Sequence, residues 1–192
     1  MTIKVMLVDS DAHRGAVLER ALRDAGHEVV RCALAGLDLL AEVKKVAADV
    51  ILIDMEVPDR DVLESMGTIT REYPRPIVMY VDQSDAEATR RAVKAGVSAY
   101  IVNDMNPERV KPILEVAIAR FNEYQALRRE LDEARHSLQE RKLIERAKGL
   151  LMKKRGMDEE TAYHSLRKLA MDRNQRLADV ARMVLDLAHL LD

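Results

Sequence analysis

Short apolar runs alternate with amphipathic stretches over the first two-thirds of the chain. The runs at 3–8, 28–32, 50–53, 77–81 and 99–102 are short and rich in β-branched residues, as strands buried on both faces are. Between them, 14–25, 35–46, 60–72, 85–95 and a segment from Pro107 onward carry apolar residues at helical spacing. Gly26 and Gly96 stand where helix C-terminal glycines belong. Five βα units predict an α/β fold, a doubly wound five-stranded parallel sheet with helices on both faces. Ligand chemistry in such a fold lies at the carboxyl ends of the strands.

After Pro112 the pattern changes. Ile113, Ala117, Arg120, Tyr124, Leu127, Leu131, Ala134 and Leu138 repeat at alternating spacings of four and three, a heptad seam with Arg120 as its one misfit. A helix over 107–138 would be roughly 48 Å long. Such a seam pairs with a second copy of the chain, or folds back on its own; the homodimer is the stronger expectation. At Arg141-Lys142 the seam stops and a new unit begins. Leu143, Ile144, Ala147, Leu150 and Leu151 make one helical face, with Arg146, Lys148, Lys153 and Lys154 on or beside the solvent side. Gly156 ends that helix, and Asp158-Glu159-Glu160 opens a second with Ala162, Leu166, Leu169 and Ala170 inward. Asn174 precedes a third with Leu177, Val180, Ala181, Val184 and Leu187 inward. Three short helices, each burying one stripe, predict a small bundle. The expected divisions are 1–120, 107–140 and 141–192.

Composition adds constraints. Hydrophobic residues are 48% of the 192, yet there are five Tyr, one Phe (Phe121) and no Trp, so the core is aliphatic. The single Cys32 excludes an internal disulfide and a cysteine zinc site. No run of 18 apolar residues exists, so no membrane span is expected and the cytoplasm is the expected location. The net charge of −2 conceals a division. Residues 1–123 carry −5 and 124–192 carry +3, with +6 concentrated in 141–176.

Two clusters could carry chemistry. Asp9 and Asp11 end the first strand and Asp54 ends the third. If those strands are adjacent, the three carboxylates meet and could weakly hold Mg²⁺ beside an aspartate that accepts a phosphoryl group. Alternatively, they only cap the helices that follow. The basic stretch from Arg141 to Arg155, with Glu145 its one acid, is either a solvated helix face or a footprint for nucleic-acid phosphates. No Ser/His/Asp, zinc or glycine-loop constellation points to an enzyme, and no cofactor is implied.

The Val8-Asp9-Ser10-Asp11 run, Ile53-Asp54-Met55-Glu56-Val57-Pro58, Pro76-Ile77-Val78-Met79-Tyr80-Val81 and Ala95-Gly96-Val97-Ser98-Ala99-Tyr100-Ile101-Val102 resemble the CheY-like receiver domain of two-component response regulators. The resemblance places Asp54 at the phosphoacceptor position and Asp9 in the acidic pair. It also shows departures: the second acid falls on Ser10, the hydroxyl residue ending strand four on Val81, and the lysine ending strand five on Asn103. A site lacking these groups reads phosphorylation poorly, so the resemblance implies a receiver kept as a protein-docking surface.

Ile144-x-x-Ala147-Lys148-Gly149-x-Leu151-Met152, then Glu160-x-Ala162-Tyr163-x-x-Leu166-Arg167, then Ala170, Asn174, Leu177, Val180 and Ala181 resemble the ANTAR domain. The whole chain is similar to ANTAR-domain response regulators (the AmiR/NasR family), especially the antiterminators of nitrate and nitrite assimilation. That resemblance implies a coiled-coil dimer whose three-helix ANTAR bundles bind tandem hairpins in leader mRNA. It implies control by a nitrate/nitrite-binding sensor protein of the NasS type. Lys148 is the first expected RNA contact, with Arg146, Lys153, Lys154, Arg167, Arg173 and Arg176 in support. Without Trp or Phe the bundle is expected to read RNA by charge and polar contacts, not by base stacking. The rival expectation is a phosphorylation-dependent regulator whose helical end binds a protein or DNA.

Overall fold

The computed structural model describes residues 2–189. Its chain divides into two units, residues 1–125 and 126–192. In the first, strands β1 (Lys4–Asp9), β2 (Glu28–Ala33), β3 (Val50–Met55), β4 (Ile77–Val81) and β5 (Ala99–Val102) form one parallel sheet in the order β2-β1-β3-β4-β5. Helices α1 (Ala12–Asp24), α2 (Leu39–Val46), α3 (Arg60–Glu72), α4 (Ala86–Lys94) and α5 (Pro107–Arg155) follow the successive strands. The strands fall within two residues of the expected boundaries. The second helix starts four residues later than its periodicity suggested, because Asp38 takes the N-cap position and accepts from the Ala41 amide at 3.0 Å.

Alternation along each strand divides the core into two layers. Met6, Val8, Ile51, Ile53, Ile77, Met79 and Val81 meet α2, α3 and α4 on one face. Val5, Leu7, Val50, Leu52, Val78 and Tyr80 meet α1 and the start of α5 on the other. Each fully buried Leu, Ile or Val contributes about 1.5–3 kcal/mol of transfer free energy, so these aliphatic layers supply the stability that aromatic residues would otherwise provide. The same alternation aims Asp9 and Asp54 at the α1 side, in direct register across β1 and β3.

In the second unit, the C-terminal part of α5 packs with α6 (Glu159–Asp172) and α7 (Leu177–His189) around Ala147, Leu166, Ala170, Val180 and Ala181. Three expectations need correction. The first bundle helix is not short but the end of the 49-residue α5: no Gly or Pro lies between 113 and 148 to stop it. The heptad seam is not uniform either, since Ile113 and Ala117 pack against the sheet, while Tyr124, Leu127, Leu131 and Leu138 are exposed. Leu187, expected inward, is 52% exposed. Gly156 does end α5, at φ +65° with its N–H donating to Met152 O at 3.0 Å. Asp158 caps α6 by accepting from Thr161 N at 2.7 Å. No described helix is long and apolar enough to cross a membrane.

Candidate functional site: a neutralised carboxylate pocket and a cationic bundle

Asp9 and Asp54 are the buried carboxylates of the sheet edge, at 6% and 0% exposure. Each is held by an arginine. Arg14, from the first turn of α1, donates Nε to Asp54 Oδ2 at 3.1 Å and Nη2 to Oδ1 at 2.5 Å. Its remaining Nη1 pairs with Asp82, just past β4. Arg31 of β2 donates Nε to Asp9 Oδ2 at 2.7 Å and Nη2 to Oδ1 at 3.0 Å, and Nη2 also reaches Ala12 O at 2.8 Å. These are two bidentate fork pairs, the geometry in which guanidinium binds carboxylate best. Gly15 makes room for the second, since a Cβ there would lie 2.6 Å from both Arg31 Nη2 and Asp9 Cγ.

Asp11 is not part of this pocket. Its side chain caps α1, accepting from His13 N at 2.8 Å and Arg14 N at 3.0 Å, and these amide bonds hold its carboxyl below the usual aspartate range. The capping alternative thus describes Asp11, whereas Asp9 and Asp54 do converge. Burial pushes the Asp54 carboxyl upward, against the opposing pull of Arg14. Tyr80, beside Asp54 in register, is buried with its hydroxyl unpaired among the described residues, and burial pushes it up to about 12.

The residues do not fit a receiver's Mg²⁺. A hard octahedral cation needs free carboxylate oxygens, and all four oxygens of Asp9 and Asp54 accept from guanidinium N–H groups. Among the described residues no group of three acidic, His or Cys side chains could hold a metal. The weak Mg²⁺ site expected at Asp9, Asp11 and Asp54 is therefore replaced by two resident cations. Val81, where the hydroxyl would stand, is 1% exposed in the core. Asn103, where the lysine would stand, is exposed in the left-handed region at φ +51°, which Asn tolerates better than most residues. Sequence reasoning missed Arg14, Arg31 and Asp82. One signal was present: Arg31 interrupts the apolar run of β2, and a charge in an otherwise apolar strand calls for a partner.

The bundle treats its cations differently. Lys148, expected on the solvent side, is 7% exposed. Its Nζ donates to Glu145 Oε1 at 2.8 Å and Oε2 at 3.0 Å, and to Glu159 Oε1 at 2.7 Å. The hydrogen bonds to Glu145 and then Glu159 raise the Lys148 pKa, and Lys148 holds Glu159 below the usual glutamate range. Lys148 thus ties α5 to α6. Arg176 pairs with Asp179 at 3.1 Å and Glu140 at 3.3 Å, and Arg173 donates to Met183 Sδ at 3.1 Å. Arg146, Lys153, Lys154 and Arg167 are exposed. Lys142, Arg155 and Lys168 are exposed too, and were not singled out by the motif. Tyr163 is 39% exposed with His164 edge-on at 6.3 Å, so the bundle does present one aromatic surface despite lacking Trp and Phe.

Comparison with known proteins agrees with this division. The response regulator receiver domain matches residues 5–115, and the ANTAR domain matches residues 132–185. The transcriptional regulatory protein PdtaR of Mycobacterium tuberculosis is 35% identical over 185 residues, 95% of this chain and 89% of that protein. A nitrate regulatory protein of Klebsiella oxytoca is 44% identical over 80 residues, 42% of this chain and 20% of that one. Among solved structures, the chemotaxis response regulator CheY4 of Vibrio cholerae aligns with a TM-score of 0.53 and 26% identity, covering 61% of this chain and 99% of that one. The receiver domain of a modulated diguanylate cyclase from Desulfovibrio desulfuricans aligns with a TM-score of 0.56 and 19% identity, over 64% and 98% of the two chains. A receiver followed by ANTAR is the organisation of a regulator, not an enzyme. With one relative matching nearly end to end and the receiver match spanning more than half its length, the chain belongs to the ANTAR-domain response regulators.

Proposed function

We propose that this chain is an RNA-binding transcription antiterminator, acting in the cytoplasm as a homodimer that grips tandem hairpins in leader mRNA. The observation that carries this reading is the set of exposed cations on the ANTAR bundle, Arg146, Lys153, Lys154 and Arg167, on the module of a family that binds RNA. Phosphate neutralisation by such cations gives salt-dependent affinity. Lys148 holds α6 in place instead of touching RNA, while Arg173 and Arg176 reach phosphates only by leaving their present partners.

The exposed stripe Tyr124, Leu127, Leu131 and Leu138, with Ala134, supplies the dimer seam. Two linked bundles gain avidity for two linked hairpins. Control comes from protein contact: a NasS-like nitrate/nitrite sensor docks the receiver, whose Asp54 is already neutralised by Arg14. The short match to a nitrate regulatory protein supports the nitrate assignment. A gel shift against the leader RNA of a nearby nitrate-assimilation operon tests it. Salt-sensitive binding that responds to the sensor and its ligand is expected. Binding only to DNA or protein, or binding that requires phosphorylated Asp54, overturns it.

A further inference from the structure

Two glycines lie inside helices where nothing in the chain requires them. A Cβ built on Gly67 of α3 or Gly149 of α5 meets no atom within 4 Å, and neither residue has a positive φ. Glycine is markedly less favourable than alanine inside a helix, so internal packing does not account for either. Their surroundings differ. Lys142, Arg146, Gly149 and Lys153 follow one another at spacings of four, three and four, which places them on one stripe of α5. All four are exposed, and the three cations have no carboxylate partner among the described residues. The stripe is therefore a row of cations with bare backbone at its centre. Gly67 instead lies between Glu64 and Arg71, and Glu64 is paired with Arg60 at 2.7 Å.

We propose that Gly149 is the close-approach point of the RNA interface. The sugar–phosphate backbone lies against the bare helix there, with Arg146 and Lys153 holding phosphates on either side, about 10 Å apart along the axis, and Lys142 extending the row. A methyl group at position 149 would hold the strand away from both cations. Charge complementarity favours a polyanion over an apolar protein face, since the stripe carries three positive charges and the one acid beside it, Glu145, is paired with Lys148 at 2.8 Å. The inference rests on the RNA-binding reading above and adds where and how closely the RNA lies.

The test uses a library of tandem hairpins with randomised loops, enriched on the full-length wild-type chain. The enriched pool is then titrated against wild type, Gly149→Ala and Gly67→Ala, with thermal melting alongside. Gly149→Ala should lose at least tenfold in affinity while its unit melts about 4–8 °C higher, the scale expected for a helix gain in a small unit. Gly67→Ala should also melt higher but bind as wild type does. Unchanged RNA affinity in Gly149→Ala overturns this inference and leaves the RNA reading standing, as does a fall in its melting temperature. Failure of the wild-type chain to enrich any pool overturns both.

Discussion

The sheet edge and the C-terminal bundle both bring arginines or lysines near carboxylates, but they leave opposite residues behind. At the sheet edge, Arg14 and Arg31 satisfy every oxygen of Asp54 and Asp9, so the two buried carboxylates of a pocket that reads as acidic in sequence are each matched by a guanidinium. In the bundle, Lys148, Arg176 and Arg182 pair with carboxylates, while Lys142, Arg146, Lys153 and Arg167 face outward. Charge count alone does not distinguish structural from functional groups; the partner does. The pocket that looks like a phosphorylation site leaves neither buried carboxylate free, and the bundle that looks merely basic exposes Lys142, Arg146 and Lys153 with no carboxylate partner among the described residues.

The largest expected effect concerns the proposed dimer seam. Replacing Leu127 and Leu131 by Asp should convert the dimer to monomer in sedimentation. Affinity for tandem hairpins should fall by about 10²-fold or more, with single-hairpin affinity unchanged. A dimer that persists would locate the interface elsewhere.

Arg14→Ala breaks the comparison from the receiver side. It leaves Asp54 buried and uncompensated, at a cost of about 3–5 kcal/mol near neutral pH by urea unfolding. Because burial already raises the Asp54 pKa, its carboxyl contributes most to stability when protonated, below its unfolded value, and least once pH rises through the folded value. The deficit of Arg14→Ala should therefore shrink in acid. A deficit independent of pH would mean that Arg14 acts by packing. Gly15→Ala should cost less, about 1–3 kcal/mol, by forcing the Asp9–Arg31 pair apart.

Glu159→Gln supplies the opposite pH signature. Lys148 holds Glu159 low, so that pair's stability is present above the unfolded glutamate value and lost as pH falls through the folded one. The variant should melt below wild type at neutral pH and converge with it in acid. The smallest effect separates the two kinds of lysine. Lys153→Ala should reduce the slope of log affinity against log salt by roughly 0.7–0.9, whereas Lys148→Met should lower melting temperature and leave that slope unchanged.

Much of this was legible in the sequence. The short, β-branched apolar runs located all five strands, and the adjacency of β1 and β3 brought Asp9 and Asp54 together as their strand-end positions implied. Arg14 and Arg31 were not legible as partners, because pairing residues 22 and 40 positions apart in sequence depends on where α1 and β2 pass over the sheet edge. Lys148 was misplaced for a related reason. A helical wheel gives the direction in which a side chain leaves its own helix, not the reach of a long lysine to Glu159 on the next one. The continuity of α5 was missed because the seam of period 3.5 ends at Leu138 while helix-forming residues continue.

The central claim is that this chain binds RNA through its bundle without needing phosphate on Asp54. Its most direct test is the affinity of the full chain for its enriched hairpin RNA, measured with and without acetyl phosphate and Mg²⁺. The predicted result is salt-sensitive binding in both conditions with the same affinity and unmodified Asp54. Stoichiometric phosphorylation of Asp54 accompanied by tighter RNA binding would contradict it.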